Sequence, residues 1–355
     1  MNPHITSAEV QLPCSDLQPA LDFFVGRLGF RIETIFPADA PRVSTLSGYG
    51  LRLRLAPGRG DAGSIRLACS NLDANDARQL IAPNGTRVEL IDADPPTEIP
   101  ELVPEFVITR ADNSAGTGRA GMIYRDLIPN RLGGCFIASH ITIEAGGPLA
   151  DWVHYHRIRF QMIVCRRGEI RVVYEDQGPP IVMRAGDCVL QPPRIRHRVL
   201  ESSAGAEVIE IGCPALHETL SDHDLVLPTD RLCPERDFDG QTFLHHVAAD
   251  APWTMRSGFA RQETGMARAT RGLADACVIR CETSGANRLA HPAHCGELLF
   301  GFLLDGSAVL ECEGVHPLGA CDAFVIPPHT EWSLNDCSPD MSLLQVTVAG
   351  NDYEI

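Results

Sequence analysis

The sequence predicts a mainly β protein, in which a small α+β segment precedes one β-domain that occurs twice. Three observations carry this. Gly 31 and Pro 26 in 355 residues punctuate many short apolar runs, the texture of turn-rich β architecture. Helical spacing of apolar residues is clear in one place, near the N-terminus. From about residue 100 onward the chain repeats itself at an offset near 137 residues, the mark of a duplication.

Composition narrows the function classes. The formal charge is −16 and no run of lysine or arginine is long enough to grip phosphates, so neither nucleic acid nor an anionic membrane surface is an expected partner. No stretch of 18 apolar residues occurs, and "MNPHITSAEV" lacks the charged and apolar regions of a signal peptide, so a soluble, cytoplasmic protein is expected. The 13 cysteines are scattered singly, with no C-x-x-C pair, and many sit inside apolar runs such as "MIVCRR" and "GDCVLQ". They read as small buried hydrophobes with reduced thiols, not as a disulfide framework.

Residues 1–97 begin with "EVQLPCSDLQPALDFFVGRLGFRIETIF". Glu9 to Pro13 alternates as a strand does. Ser15 is placed to cap a helix in which Leu17, Ala20, Phe23, Phe24 and Leu28 share a face, and Gly29 ends it. "FRIETIF", "RVSTLSG" and "LRLRLA" follow as strands. The order β-α-β-β-β and the pattern "DL..A..FF...LGF" resemble a vicinal oxygen chelate (glyoxalase/bleomycin-resistance) module, with "APNGTRVELID" similar to that fold's last strand. The resemblance implies metal ligands on the first, fourth, fifth and eighth strands. Glu9 and Glu89 stand at the first and last of these, but "LRLRL" and "SIRLAC" offer neither carboxylate nor histidine, and the second module is short. A metal-free docking or ligand-pocket domain is expected, with Arg52, Arg54 and Arg66 on solvated strand faces.

The duplication is visible in "PEFVITRADNSAGTGRAGMIYRD" and "QTFLHHVAADAPWTMRSGFARQE". Phe106 matches Phe243, Arg119 matches Arg256 and Gly121 matches Gly258. Further on, His156 matches His294, Gly168 matches Gly306 and Pro192-Pro193 matches Pro327-Pro328. In the first copy, "GGPLADWVHYHRIRFQMIVCRRG" holds His154 and His156, then Gln161 and Gly168, and "GDCVLQPPRIRHRVLE" brings His197. Residues i and i+2 of a strand face the same side, so both histidines of H-Y-H enter one interior while Tyr155 points outward.

These two motifs, in register, resemble those of the cupins, small double-stranded β-helix barrels. The predicted fold class is therefore mainly β, two cupin barrels preceded by an α+β vicinal-oxygen-chelate-like domain. The expected domains are 1–97, 98–220 with a metal site, and 221–355 with a degenerate one. The resemblance implies that His154, His156 and His197 hold a divalent metal, Fe(II) favoured and Zn, Ni or Mn possible. Gln161 stands where the family has a carboxylate. An amide ligates through oxygen or hydrogen-bonds a ligand histidine, and it brings no charge, which would favour an anionic chelating substrate. Arg159, Arg194, Arg196 and Arg198 read as a solvated rim.

In the second copy Pro292, His294, Leu299 and Trp332 occupy the four ligand positions, so one ligand of four survives. His291, Glu297 and His329 are polar but off the motif's spacing. A packed barrel with Trp332 in the former site is expected. Three-histidine cupins most often resemble dioxygenases, so the leading expectation is a metal-dependent enzyme acting on a small oxygenated organic acid, enol or aromatic. The alternatives are an isomerase, cyclase or hydrolase on the same metal, or a non-catalytic small-molecule binding or sensor protein. A homodimer is compatible with family habit.

Overall fold

The computed structural model describes residues 4–73, 77–118, 121–256, 258–282, 288–291 and 293–350. The chain divides into two compact units, 1–96 and 97–355.

In the first unit, four strands pair in the order Val10–Pro13, Leu51–Ala56, Val43–Gly48, Arg31–Phe36, the first pair parallel and the others antiparallel. A second sheet joins Ser64–Cys69, Arg87–Asp92 and Gln79–Ile81. One helix follows the first strand and packs in the same core. It starts at Leu17 with Asp16, not Ser15, as the capping residue, and no side chain caps it. It widens to π-type turns over Asp22–Arg27, where the amide of Leu28 donates to the carbonyl of Phe23 (3.0 Å). That geometry turns Phe23 and Phe24 into a core with Leu12, Leu46, Leu53, Leu55 and Val88. Glu9 pairs with Arg52 and Arg54, and Glu89 with Arg66. These half-exposed pairs contribute little to stability.

The second unit holds two barrels built alike. Each has one seven-stranded sheet and one smaller sheet. The first long sheet runs Leu244–His246, Cys188–Leu190, Phe160–Arg167, Ala206–Cys213, Ile137–Ile143, Ile123–Asp126, Ala115–Thr117. The second runs Thr254–Arg256, Phe259–Glu263, Ala274–Cys281, Ser342–Val348, Leu298–Asp305, Ala323–Val325, Val107–Thr109. One strand of each copy is exchanged. Val107–Thr109, from the start of the first copy, completes the second copy's sheet, and its counterpart Leu244–His246 completes the first. The repeat thus marks two copies in sequence, while the barrels in space interleave across residue 220.

The duplication extends to the turns. Gly168 and Gly306 both have positive φ (77° and 72°), and a Cβ on either would approach a serine hydroxyl, Ser203 or Ser338, to 2.5 Å. Only glycine fits such a turn without strain.

Strand parity then separates two interiors. In Phe160–Arg167, Phe160, Met162 and Val164 face one way and join Ile209 and Ile211. They pack on Phe300, Phe302, Leu344 and Val346 of the other barrel in one continuous core. Gln161 and Ile163 face the other way, into their own barrel. Residues related by the repeat meet across this core, as they do near a two-fold axis. Arg159 Nη1 donates to Glu297 Oε2 (2.7 Å), and Arg166 Nη2 to the carbonyl of Leu304 (3.0 Å). Arg159 is thereby a largely buried strut, not part of a solvated rim. All 13 cysteines are free thiols, and burial pushes those of Cys165, Cys188, Cys213 and Cys277 up to about 12.

Beside the shared core, Arg125 Nη2 donates to His140 Nδ1 (3.1 Å), so His140 carries its proton on Nε2 and donates it to Glu207 (2.8 Å). Burial holds the pKa of His140 below the usual imidazole value, aided by Arg125 and opposed by Glu207. Below pH ~6.5 the unfolded chain gains a proton there that the folded chain resists. Stability therefore falls from that pH down to the lowered folded value and levels beneath it. Urea unfolding at pH 7.5 and 5.5 is expected to show a larger loss for the native protein than for His140→Gln. Phe302→Ala, which empties part of the shared core, is expected to cost about 3–5 kcal/mol, with both barrels still unfolding in a single urea transition.

Candidate metal centre

The strand His154–His156 lies between His197–Ser202 and Thr219–Ser221, with His154 directly opposite His197. Parity sends the rings of His154 and His156 inward, and Tyr155 outward, where Arg196 stacks on it at 4.2 Å. The three imidazoles place one ligand nitrogen each within 4.8 Å of one another. All three residues are buried.

Their hydrogen bonds decide which nitrogen faces a cation. His154 Nδ1 lies 2.8 Å from the carbonyl of Trp152, and His197 Nδ1 lies 3.0 Å from that of Ile195. A carbonyl only accepts, so Nδ1 must carry the proton and the lone pair is on Nε2. His156 Nδ1 meets the hydroxyl of Thr219 at 3.2 Å. Asp151 Oδ1 stands 3.7 Å from His154 Nδ1, while its Oδ2 accepts from the amide of Val199 (3.0 Å). The carbonyls hold His154 and His197 in the tautomer a metal needs, and Thr219 orients the ring of His156. Tyr174 stacks on His197 with ring centres 5.7 Å apart, and Phe243 packs on Tyr174 at 4.5 Å. Burial raises the pKa of the Tyr174 phenol far above its ordinary value.

The residues fit a metal ion. Three imidazoles on one side of a cavity, each held through its other nitrogen, form a ligand set with coordination positions left for a guest when they are neutral. The cavity measures ≈ 80 Å³, and its remaining wall is largely apolar, including Met122, Ile141, Ile163, Val172 and Val208.

Gln161 reaches this cavity from Phe160–Arg167, and its Nε2 donates to Glu210 Oε1 at 2.6 Å. Glu210 escaped the sequence reading. It stands in the apolar strand Ala206–Cys213, two residues from Gly212, which pairs with Gln161, so both side chains share a face. A carboxylate amid "AEVIEIGC" was the available signal, but its facing depends on the register. This corrects the electrostatics expected from Gln161. A carboxylate absent at 161 stands on the neighbouring strand and accepts from Gln161, so the site is not without an acidic group.

The second barrel offers a direct comparison. Leu299 takes the place of Gln161 and Ile326 that of Gln191. Each pair makes the same main-chain bond, Gln191 N to the carbonyl of Gln161 (2.9 Å) and Ile326 N to that of Leu299 (3.0 Å). Trp332 replaces His197 and is buried with Phe324, Leu299 and Leu310. Phe324 lies so close to Gly301 that a Cβ there would approach its ring to 2.1 Å. His294 Nε2 bonds the carbonyl of Ile326 (2.8 Å). Pro292 and the side chain of His291 lie outside the described residues. Among the described residues, His154, His156 and His197 are the one group with metal-ligand spacing.

Residues 139–212 match the family model of the cupin domain. Among curated proteins, none matches the chain. Solved structures similar to it include salicylate 1,2-dioxygenase from Pseudaminobacter salicylatoxidans, 16% identical over 70% of this chain and 86% of that one, with TM-score 0.52. Protein Ylba from E. coli is 11% identical over 73% of this chain and 97% of that one, with TM-score 0.51. A deletion mutant of Bacillus subtilis oxalate decarboxylase OxdC is 10% identical over 71% of this chain and 78% of that one, with TM-score 0.52. At these identities the likeness is one of fold, and the fold is the cupin fold. Among the described residues no helix is long and apolar enough to cross a membrane.

Titration with Zn(II) is expected to show one tight site. At free metal 100 times the dissociation constant, the bound ion adds about 2.7 kcal/mol of stability, and a chelator removes it. His197→Ala is expected to abolish that gain and His294→Ala to leave it intact, read by melting temperature with and without metal.

Proposed function

We propose that the protein is a metal-dependent cupin enzyme of dioxygenase type, acting on a small oxygenated molecule in the first barrel. The observation that carries this is the orientation of His154 and His197 by main-chain carbonyls. Such an arrangement turns three imidazoles toward one point beside a buried cavity. A divalent cation held there by His154, His156 and His197, Fe(II) being favoured, would supply Lewis acidity and a place for dioxygen.

The chain's own residues do the rest. Trp152 and Ile195 fix the rings through their carbonyls, and Thr219 steadies His156. Tyr174 and the apolar wall exclude water, which strengthens every polar interaction inside. Gln161 and Glu210 form the polar side of the cavity. Gln161 is then either an oxygen ligand or a partner to bound water. The second barrel, packed where the first is hollow, acts as scaffold. The N-terminal unit has the strand order of a βαβββ module, which supports the vicinal-oxygen-chelate-like reading, and we assign it a docking or ligand-pocket role without a metal. The duplicated sequence supports domains at 98–220 and 221–355.

The test is oxygen uptake by Fe(II)-loaded protein offered diketones, hydroxy acids and catechols. Uptake with at least one of these, falling at least a hundredfold in His197→Ala, is the expected result. Stoichiometric metal with no turnover across the panel would instead make it a binding protein.

A further inference from the structure

Glu210 is underused by the protein. Among the described residues its one hydrogen-bond donor is Gln161, whereas a carboxylate has room for about four. The side chain lines the cavity. Gln191 lines the same cavity; its amide bonds the Tyr174 hydroxyl, and its Oε1 is buried with no hydrogen-bond partner. Of these acceptors, Gln191 Oε1 is buried and unpaired, which costs about 1–3 kcal/mol, while half-buried Glu210 keeps accepting capacity beyond its bond from Gln161. At the corresponding places of the second barrel stand Gln345 and Ile326; Gln345 Oε1 is also buried without a partner, but Trp332, Phe324 and Leu299 pack that interior.

We infer that Glu210 is the specificity-determining residue of the first barrel, selecting small uncharged ligands that carry a hydroxyl, enol or amino donor. This rests on the metal-site reading above and names the ligand class of that site. A donor-bearing ligand satisfies Glu210 and Gln191 while its carbonyl or hydroxyl oxygen faces the three histidines. A carboxylate at the same place would set like charges together. Size narrows the class further. The ≈ 80 Å³ cavity is about half the ~150 Å³ that holds benzene in an engineered apolar cavity. Hydroxy-ketones and short enols are small enough to enter it.

The experiment compares three probes on the full chain loaded with Zn(II), which is redox-inert. Hydroxyacetone has a hydroxyl beside a carbonyl. Butanone matches its shape without the donor, and pyruvate adds a carboxylate. Metal content and melting temperature are measured first. A native chain that holds no Zn(II) defeats the metal-site reading itself. With Zn(II) bound, hydroxyacetone is expected to bind at least tenfold more tightly than butanone, since a site built to bond a hydroxyl rejects analogues lacking it. Glu210→Leu is expected to erase that ratio, and Glu210→Gln to reduce it while improving pyruvate binding. Gln191→Leu is expected to reduce the ratio as well, and it serves if the Glu210 variants do not fold. Equal binding of hydroxyacetone and butanone by the native protein overturns the inference. So does a ratio unchanged in the variants, or loss of Zn(II) in Glu210→Gln, which would place the carboxylate in the metal site.

Discussion

The shared core between the two long sheets is the constraint on which the rest depends. Phe160, Met162 and Val164 from one barrel and Phe300, Phe302 and Val346 from the other make a single apolar mass. Burial of such side chains is worth about 1.5–3 kcal/mol each. Because the outward faces of both sheets supply this, the inward face of the first barrel can carry polar groups. His154, Gln161, Gln191 and His197 are all buried there, and in an isolated small barrel their desolvation would weigh heavily. The exchanged strands tie each barrel's sheet to the other copy, so the polar interior is framed from both sides.

Duplication followed by divergence explains the asymmetry. The two copies share the glycine turns and the main-chain bond that links Gln191 to Gln161 or Ile326 to Leu299. Three of the side chains facing the first cavity have apolar counterparts. Where the first copy has Gln161, Gln191 and His197, the second has Leu299, Ile326 and Trp332, each apolar or nearly so, and Phe324 leans over Gly301 to fill the space. One barrel keeps a cavity and the other keeps the fold. That division follows from packing, since a hollow polar interior is unfavourable unless a ligand offsets it.

Much of this was legible in the sequence because it depends on local spacing. H-Y-H on a strand places both rings on one side whatever surrounds it, and the offset near 137 residues aligned the copies without any coordinates. The exchange of Val107–Thr109 and Leu244–His246 was not legible, since a three-residue apolar strand carries no record of the sheet it joins. Glu210 was hidden for a related reason. Its facing depends on the pairing of Gln161 with Gly212, a register fixed by contacts about fifty residues apart. Arg159 looked like surface until Glu297, far along the chain, was brought to it. Ser15 had the composition of a cap, but the helix opens at Asp16 and widens so that two consecutive phenylalanines both reach the core.

X-ray absorption at the metal edge of the Zn(II)-loaded protein tests the central claim most directly. The account predicts three imidazole nitrogens at about 2.0–2.1 Å with the remaining positions filled by oxygen, and loss of one imidazole in His197→Ala. A spectrum dominated by sulfur, or one unchanged when His197 is removed, would contradict it.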